Sequence, residues 1–277
     1  MIIDIRMRPP IPELFPQDKG IYDDSYIQLF KGKPVTPERL IEEMDEAGIE
    51  KGVIFGDDTE TTWRNRKVSN ERVAEIVNKY PDRFIGFAGA DPHKGMDAVR
   101  ELEHAVKNLG LCGLNMEPCF HRLPANDKKY YPLFAKCVEL DIPVTMHIST
   151  NYIPQYLMKH GHPLLVDEVA VDFPELKIIC SHAGWPWVAE LMGVIWRHKN
   201  VYADISGTLP KYFAKPGTGW EPLLHYGNSN CKDKILYGSK WPLLNQKTQI
   251  QQLRELPLKP EVLDLWLSGN AKKLLGL

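Results

Sequence analysis

Short apolar runs punctuate the chain at residues 2–5, 52–55, 84–88, 111–116, 143–148, 177–180, 201–205 and 235–237. Each is β-branched or otherwise apolar and short enough to be a buried strand. Between them the apolar positions recur at helical spacing. Thr36-Pro37-Glu38 reads as an N-cap followed by proline at the first helical position, with Leu40, Ile41, Met44 and Ala47 on one face and Gly48 as the stop. Ser69-Asn70-Glu71 opens a second helix carrying Val73, Ile76, Val77 and Tyr80. Val99, Leu102, Val106 and Leu109 form a third stripe, ended by Gly110. Leu133, Phe134, Cys137 and Val138 continue the rhythm, as do Leu165, Val166, Val169 and Ala170, and then Val188, Leu191, Met192 and Ile195. Ile250 and Leu253 support a weaker segment, and residues 261–267 a terminal helix.

Strand-like runs separated by helices pair in parallel, because each return must cross over a helix. Eight such units predict an α/β fold, a single (β/α)₈ barrel domain over residues 1–277, with chemistry at the C-terminal ends of its strands. No glycine-rich phosphate loop follows the first run, which argues against a dinucleotide-binding sheet. Two long loop stretches, 9–34 and 207–219, are either lids over the barrel mouth or ordinary surface excursions.

Composition narrows the partners. The 277 residues include 34 basic and 36 acidic side chains, a net charge of −2, so no electrostatic footprint favours nucleic acid or an anionic membrane. No apolar run reaches the length of a membrane span, and Asp4, Arg6 and Arg8 interrupt any signal-like core, which predicts a cytoplasmic protein. Cys112, Cys119, Cys137, Cys180 and Cys231 are odd in number and lack a C-x-x-C pair. They read as buried free thiols of a reducing compartment, a zinc–cysteine site being set aside, with Cys119 beside Glu117 the one alternative nucleophile.

The predicted strand ends carry the polar groups of interest. Alternation puts Asp4, Arg6 and Arg8 on one face of the first strand, where two arginines call for anionic partners. Glu117 closes the fourth run, as a base or as the partner of an arginine. His147 and His182 end the fifth and sixth runs, positions that converge in a barrel, and Lys240 follows the eighth between Tyr237 and Trp241-Pro242. Asp204, near the end of the seventh, either orients Lys240 or a substrate hydroxyl or serves as a salt-bridge partner. Trp185 and Trp187 either wall a planar substrate or pack a helix start.

These landmarks carry a family resemblance over essentially the whole chain. IDI at the first strand, TPERLIEEMDEAGIEKGVIFG, NERVAEIVNKYPDRFIGFAGADP, YYPLFAKCVELDIPVTMHIS, DFPELKIICSHAGWPW, KNVYADISG, ILYGSKWP and GNAKKLLGL stand in an order that resembles the amidohydrolase-related branch containing 2-amino-3-carboxymuconate semialdehyde decarboxylase-like proteins. The resemblance implies a metal bound by H-x-H on strand 1, histidines ending strands 5 and 6, and an aspartate ending strand 8. Carried over by position, His147 and His182 match, whereas Arg6 and Arg8 occupy the H-x-H positions and Lys240 the aspartate of G-[ST]-D-x-P.

A unit charge ~4 Å from another costs ~4 kcal/mol at an effective dielectric near 20, and roughly twice that against a divalent ion. Tight zinc sites contribute ~10–16 kcal/mol with a full ligand set. The expectation is therefore no catalytic metal and no other cofactor, the alternative being a weak zinc-dependent hydrolase using His147, His182 and Glu117. In the metal's place Arg6 and Arg8 grip a small carboxylated substrate, with His147, His182 and Lys240 as acid and base groups. Lys240, crowded by two arginines, either acts as a base or forms a Schiff base with a carbonyl substrate. Metal-independent hydrolysis of a lactone or ester stands slightly ahead of decarboxylation or carbon–carbon cleavage through an iminium. The reading from another class is a catalytically silent barrel that binds an anionic metabolite. A homodimer is the assembly that analogy suggests.

Overall fold

The computed structural model describes residues 1–11, 35–62, 67–151 and 153–277. Eight strands follow one another around a single sheet: β1 (Ile3–Met7), β2 (Lys51–Phe55), β3 (Phe84–Gly89), β4 (Leu114–Met116), β5 (Val144–Met146), β6 (Ile178–Cys180), β7 (Val201–Asp204) and β8 (Ile235–Leu236). The seven pairings between successive strands are all parallel. The sheet returns on itself where Ile5 N–H donates to Tyr237 O and Lys240 N–H to Arg6 O, both at 2.8 Å. This is the (β/α)₈ barrel, and all eight predicted runs are strands with shifted ends.

Among the described residues, the helices that follow the strands in the outer layer are α1 (Pro37–Ala47), α2 (Asn70–Lys79), α3 (Met96–Lys107), α4 (Tyr131–Glu139), α5 (Pro163–Asp172), α6 (Val188–Arg197), α7 (Glu221–Gly227) and α8 (Gln246–Arg254). The start signals act as read: Thr36 accepts from Arg39 N–H and Ser69 from Arg72 N–H. Gly48 ends α1 in the left-handed region at φ 73°. The predicted terminal helix is broken: a helix over Pro260–Asp264 passes through a π-turn at Leu265–Gly269 into Asn270–Leu275. Within that turn Trp266 offers its carbonyl to Tyr237 N–H at 2.9 Å, tying the chain end to the closing strand. Unanticipated were α7 and a short antiparallel pair, Asp57–Asp58 with Lys67–Val68.

Side-chain alternation divides the core. Ile178, Cys180, Val201, Ala203 and Ile235 join the large cluster shared with the helices. Their strand neighbours Ile179, Tyr202 and Leu236 belong with Ile3, Ile5, Val53, Phe55 and Phe87 to a smaller cluster inside the barrel. Asp4 departs from the expectation that it shares a face with Arg6. The β1–β2 register slips between Asp4 and Met7, so one extra residue re-aims the side chains after it. Asp4 therefore faces the outer layer, where Gln246 Nε2 of α8 donates to it at 2.9 Å, while Arg6 turns into the barrel.

Asp4 also accepts from the backbone N–H groups of Ser239 (2.9 Å) and Arg6 (3.1 Å). Complete burial outweighs these bonds and raises its pKa from 3.8 to about 6. Between those values the native state holds a proton that the unfolded state has lost, so stability falls as pH rises through the window. Asp4→Asn removes that dependence: urea midpoints measured from acid to neutral pH are expected to show the wild type losing stability relative to the variant. The amide has a waiting acceptor after a flip of Gln246, whose buried Oε1 has no hydrogen-bond partner.

Residues 12–34 of the first candidate lid lie outside the described residues. The second, 207–219, borders an open groove beside the mouth, lined by Trp185, Thr208, Tyr212, Thr218 and Trp220. All five cysteines are free; four are buried as expected, and Cys112 is exposed. No described helix is long and apolar enough to cross a membrane.

Candidate active site

One cleft at the C-terminal ends of the strands is lined by Arg6, Arg8, Phe55, Glu117, Phe120, His147, Asn151, Ile153 and Lys240. Its centre is an ion pair. Arg6 Nη2 donates to Glu117 Oε1 at 2.8 Å with both side chains buried, and Nη1 donates to Thr145 Oγ1 at 3.1 Å and Asn115 Oδ1 at 3.4 Å. The guanidinium lies 4.9 Å from the centroid of the Phe55 ring, a cation–π contact that suits its flat, weakly hydrated shape. Glu117 is thus the partner of an arginine, one of its two sequence-based readings.

The other Glu117 oxygen, Oε2, meets His147 Nδ1 at 3.2 Å. His147 Nε2 lies 3.0 Å from Ser149 Oγ and 3.2 Å from Thr150 O. The two histidines converge as expected, their rings edge-to-face with centroids 4.8 Å apart.

His182 sits just beyond β6 in the left-handed region at φ 65°, a conformation that a side chain other than glycine adopts only when its surroundings hold it. Asp204 Oδ1 at the end of β7 does so, accepting from His182 N–H at 3.1 Å, Ser206 N–H at 2.9 Å and Ser206 Oγ at 2.5 Å. His182 Nδ1 in turn lies 2.9 Å from Ser206 O and 2.8 Å from Ser206 Oγ. A carbonyl only accepts, so Nδ1 carries the proton and Nε2 is the acceptor. Lys240 Nζ donates to it at 3.0 Å. Gly207 is required beside this chain: its φ is +82°, and a Cβ there would meet His182 Nδ1 at 2.9 Å.

Burial, then Lys240, His147 and Arg6, press the His182 pKa well below 6.5. Lys240 is itself in the left-handed region at φ 61°. Burial and the positive charges of Arg8 and Arg6 lower its pKa from 10.5 to about 7. The tip of this lysine is therefore an amine that exchanges protons near neutrality.

The structure thus brings together Arg6, Arg8, Glu117, His147, His182 and Lys240, with Asp204 supporting His182 through its backbone and Ser206. Trp185 stands apart, 40% exposed, with its indole lining the neighbouring groove rather than the cleft. Trp187 packs against His162, ring centroids 4.7 Å apart. Sequence reasoning missed Asn115, Thr145 and Ser206. The signal was available: each lies two residues from a chosen group (Glu117, His147, Asp204), and period two places such pairs on the same inward face.

A family model described as amidohydrolase matches residues 16–277. A 2-keto-4-carboxy-3-hexenedioate hydratase from Sphingobium sp. is 31% identical over 133 residues, 42% of this chain and 39% of that protein. The chain thus spans well under half the length of that relative. A γ-resorcylate decarboxylase from Polaromonas sp. is 26% identical over 269 residues, covering 75% of this chain and 77% of its own. Among solved structures, a TIM-barrel protein of Bordetella bronchiseptica has a TM-score of 0.79 at 29% identity, covering 99% of this chain and 98% of that one. A dihydroxybenzoic acid decarboxylase from Polaromonas sp., solved with bound manganese and the inhibitor 2-nitroresorcinol, has a TM-score of 0.73 at 22% identity over 100% and 97% of the two chains.

The expectation of a site without a metal is corrected by these findings. Glu117, Cys119 and His147, all buried, bring ligand atoms within 4.8 Å of one another, a group able to hold an ion, and the Polaromonas decarboxylase holds manganese. Two of the three cations that weighed against an ion are offset: Glu117 neutralises Arg6, and Lys240 titrates near neutrality. The ligand set weighed beside the inherited positions added Glu117 but not Cys119. Cys119, set aside as a ligand, is carried beside Glu117 by the helical turn Pro118–His121. His182, named in the zinc alternative, is outside this group, with both ring nitrogens engaged by Ser206 and Lys240. A carboxylate, a thiolate and an imidazole are three protein ligands of the kind that leave a catalytic ion an open position. From the barrel, the ordered strand-end groups and a family model spanning residues 16–277, the chain belongs to the amidohydrolase family and is an enzyme of that superfamily.

Proposed function

We propose that this enzyme is a carboxy-lyase that removes carbon dioxide from a small carboxylated aromatic or enolic compound, with residues 1–277 working as one barrel domain. The observation that carries the reading is the meeting, in one cleft, of two guanidiniums with a proton-exchanging lysine. Relatives named as decarboxylases, aligned over most of this chain, move the balance from hydrolysis toward loss of a carboxyl group.

In this reading Arg8 and Arg6 orient the departing carboxylate, Arg6 held rigid by Glu117, Thr145 and Asn115. Phe55, Phe120 and Ile153 supply the apolar wall for a planar substrate. Lys240 delivers the proton that replaces the carboxyl group at carbon, and His182 accepts from and returns protons to its Nζ. His147, bridged to Glu117 and edge-to-face with His182, is a second acid–base group of the cleft when it holds no ion. Glu117, Cys119 and His147 would hold a divalent ion, which when bound supplies Lewis-acid polarisation of a substrate oxygen.

The test is carbon dioxide release from 2,6-dihydroxybenzoate and a panel of related hydroxybenzoates and carboxylated enols, with protein loaded with manganese or zinc and with protein stripped by chelation. Turnover of one panel member, accompanied by metal in elemental analysis that Cys119→Ser diminishes, is the expected result. Tight binding across the panel without carbon dioxide release would instead establish the anion-binding barrel.

A further inference from the structure

The hydrogen-bonded chain from Asp204 through Ser206 and His182 ends on a primary amine inside the cleft, and no step above requires a bond to that amine. From this arrangement we infer that Lys240 is a covalent nucleophile, condensing with the carbonyl group of an oxo acid whose carboxylate is held by the neighbouring arginine side chains. The inference rests on the reading of the cleft as a site for small carboxylates, and deepens it by naming the substrate class as carboxylates that carry a ketone or aldehyde.

Three features support it. The His182 tautomer is fixed by the Ser206 carbonyl at 2.9 Å, so Nε2 faces Lys240 Nζ as a proton acceptor at 3.0 Å. Arg6 and Arg8 line the same cleft as Lys240, so a carboxylate on a guanidinium leaves its adjacent carbonyl carbon within reach of the amine. Asp204 Oδ2 is buried without a hydrogen-bond partner on the strand next to the one that Lys240 follows, an acceptor placed beside the point where an iminium N–H would form.

In the condensation the Nζ lone pair attacks the carbonyl carbon, forming a C–N bond, and the carbonyl π electrons pass to oxygen. His182 Nε2 takes a proton from nitrogen and returns it to that oxygen. A second proton, taken from solvent and passed on by His182 Nε2, lets the oxygen leave as water, and the nitrogen lone pair forms the C=N bond of an iminium that keeps its remaining N–H. Nothing is oxidised or reduced, and water is the only other product. Where the substrate is a β-oxo acid, the protonated imine then takes up the electrons of the bond between the intervening carbon and the carboxyl group. Carbon dioxide leaves, and the carbon chain remains on Nζ as an enamine until protonation and hydrolysis free it.

Reductive trapping tests this directly. The full-length protein is incubated with glyoxylate or pyruvate and cyanoborohydride, and its intact mass and peptide map are read. The expected result is one carboxymethyl or carboxyethyl group per chain, located on Lys240, absent in Lys240→Arg, and formed about tenfold or more faster with glyoxylate than with acetaldehyde, which lacks the anchoring carboxylate. His182→Asn, checked for folding by circular dichroism, is expected to slow labelling while leaving its location unchanged. Label scattered over surface lysines to the same extent in wild type and Lys240→Arg would overturn the inference. Carbon dioxide release from hydroxybenzoates without any labelling of Lys240 would remove the imine and leave the carboxy-lyase reading intact. Labelling of Lys240 without carbon dioxide release from any panel member would do the reverse.

Discussion

Replacing Glu117 with glutamine is expected to destabilise the protein by about 3–5 kcal/mol, the usual consequence of removing one member of a buried ion pair. The Arg6 guanidinium would keep its charge in a site where Thr145 and Asn115 offer only neutral acceptors, and its Nε already has no hydrogen-bond partner. Denaturant titration measures the loss directly. The informative control is the double variant Arg6→Met, Glu117→Gln, in which the orphaned charge is gone and the methionine packs on Phe55. Much of the stability is expected to return, because replacing a whole buried pair by apolar groups is often near neutral. Activity is not expected to return with it, since the guanidinium proposed to orient the substrate carboxylate is absent. If the double variant were as unstable as Glu117→Gln alone, Glu117 would be holding something other than Arg6 in place.

Replacing His182 with asparagine is expected to lower kcat by about 10²–10⁴-fold, the range for loss of a positioned acid–base group. KM should move little, because substrate affinity is assigned to the arginines. Ser206→Ala gives a graded version: His182 Nδ1 keeps the Ser206 carbonyl at 2.9 Å but loses the hydroxyl at 2.8 Å. Its effect on kcat should be smaller than that of His182→Asn and should appear mostly in the pH profile. A rate in His182→Asn within a fewfold of wild type would mean that the contact between His182 and Lys240 is structural.

The barrel was legible because its two periodicities are written plainly in the chain. Apolar runs such as residues 201–205 give strands, and capped stripes such as Leu40, Ile41 and Met44 after Thr36 give helices. The strand-end groups were legible because topology alone brings residues following β4, β5, β6 and β8 together. What the pattern could not show was how charge is distributed among them. Alternation predicts that Asp4 and Arg6 share a face, but the slip in register between Asp4 and Met7 separates them, and no residue type marks it. The pairing of Arg6 with Glu117 depends on reach across the barrel, over 111 residues of sequence. The Cys119 ligand atom depends on one helical turn too short to give a periodic signal.

The seam between first and last strands has a consequence for how the enzyme comes into being. Arg6 and Lys240 are joined by the backbone contact from Lys240 N–H to Arg6 O, and Asp4 reaches across to Ser239 N–H. The ribosome must therefore have released everything from Arg6 to Lys240 before the lysine meets its guanidinium neighbours. Nascent chains interrupted before that point would carry neither the closed seam nor the complete cleft.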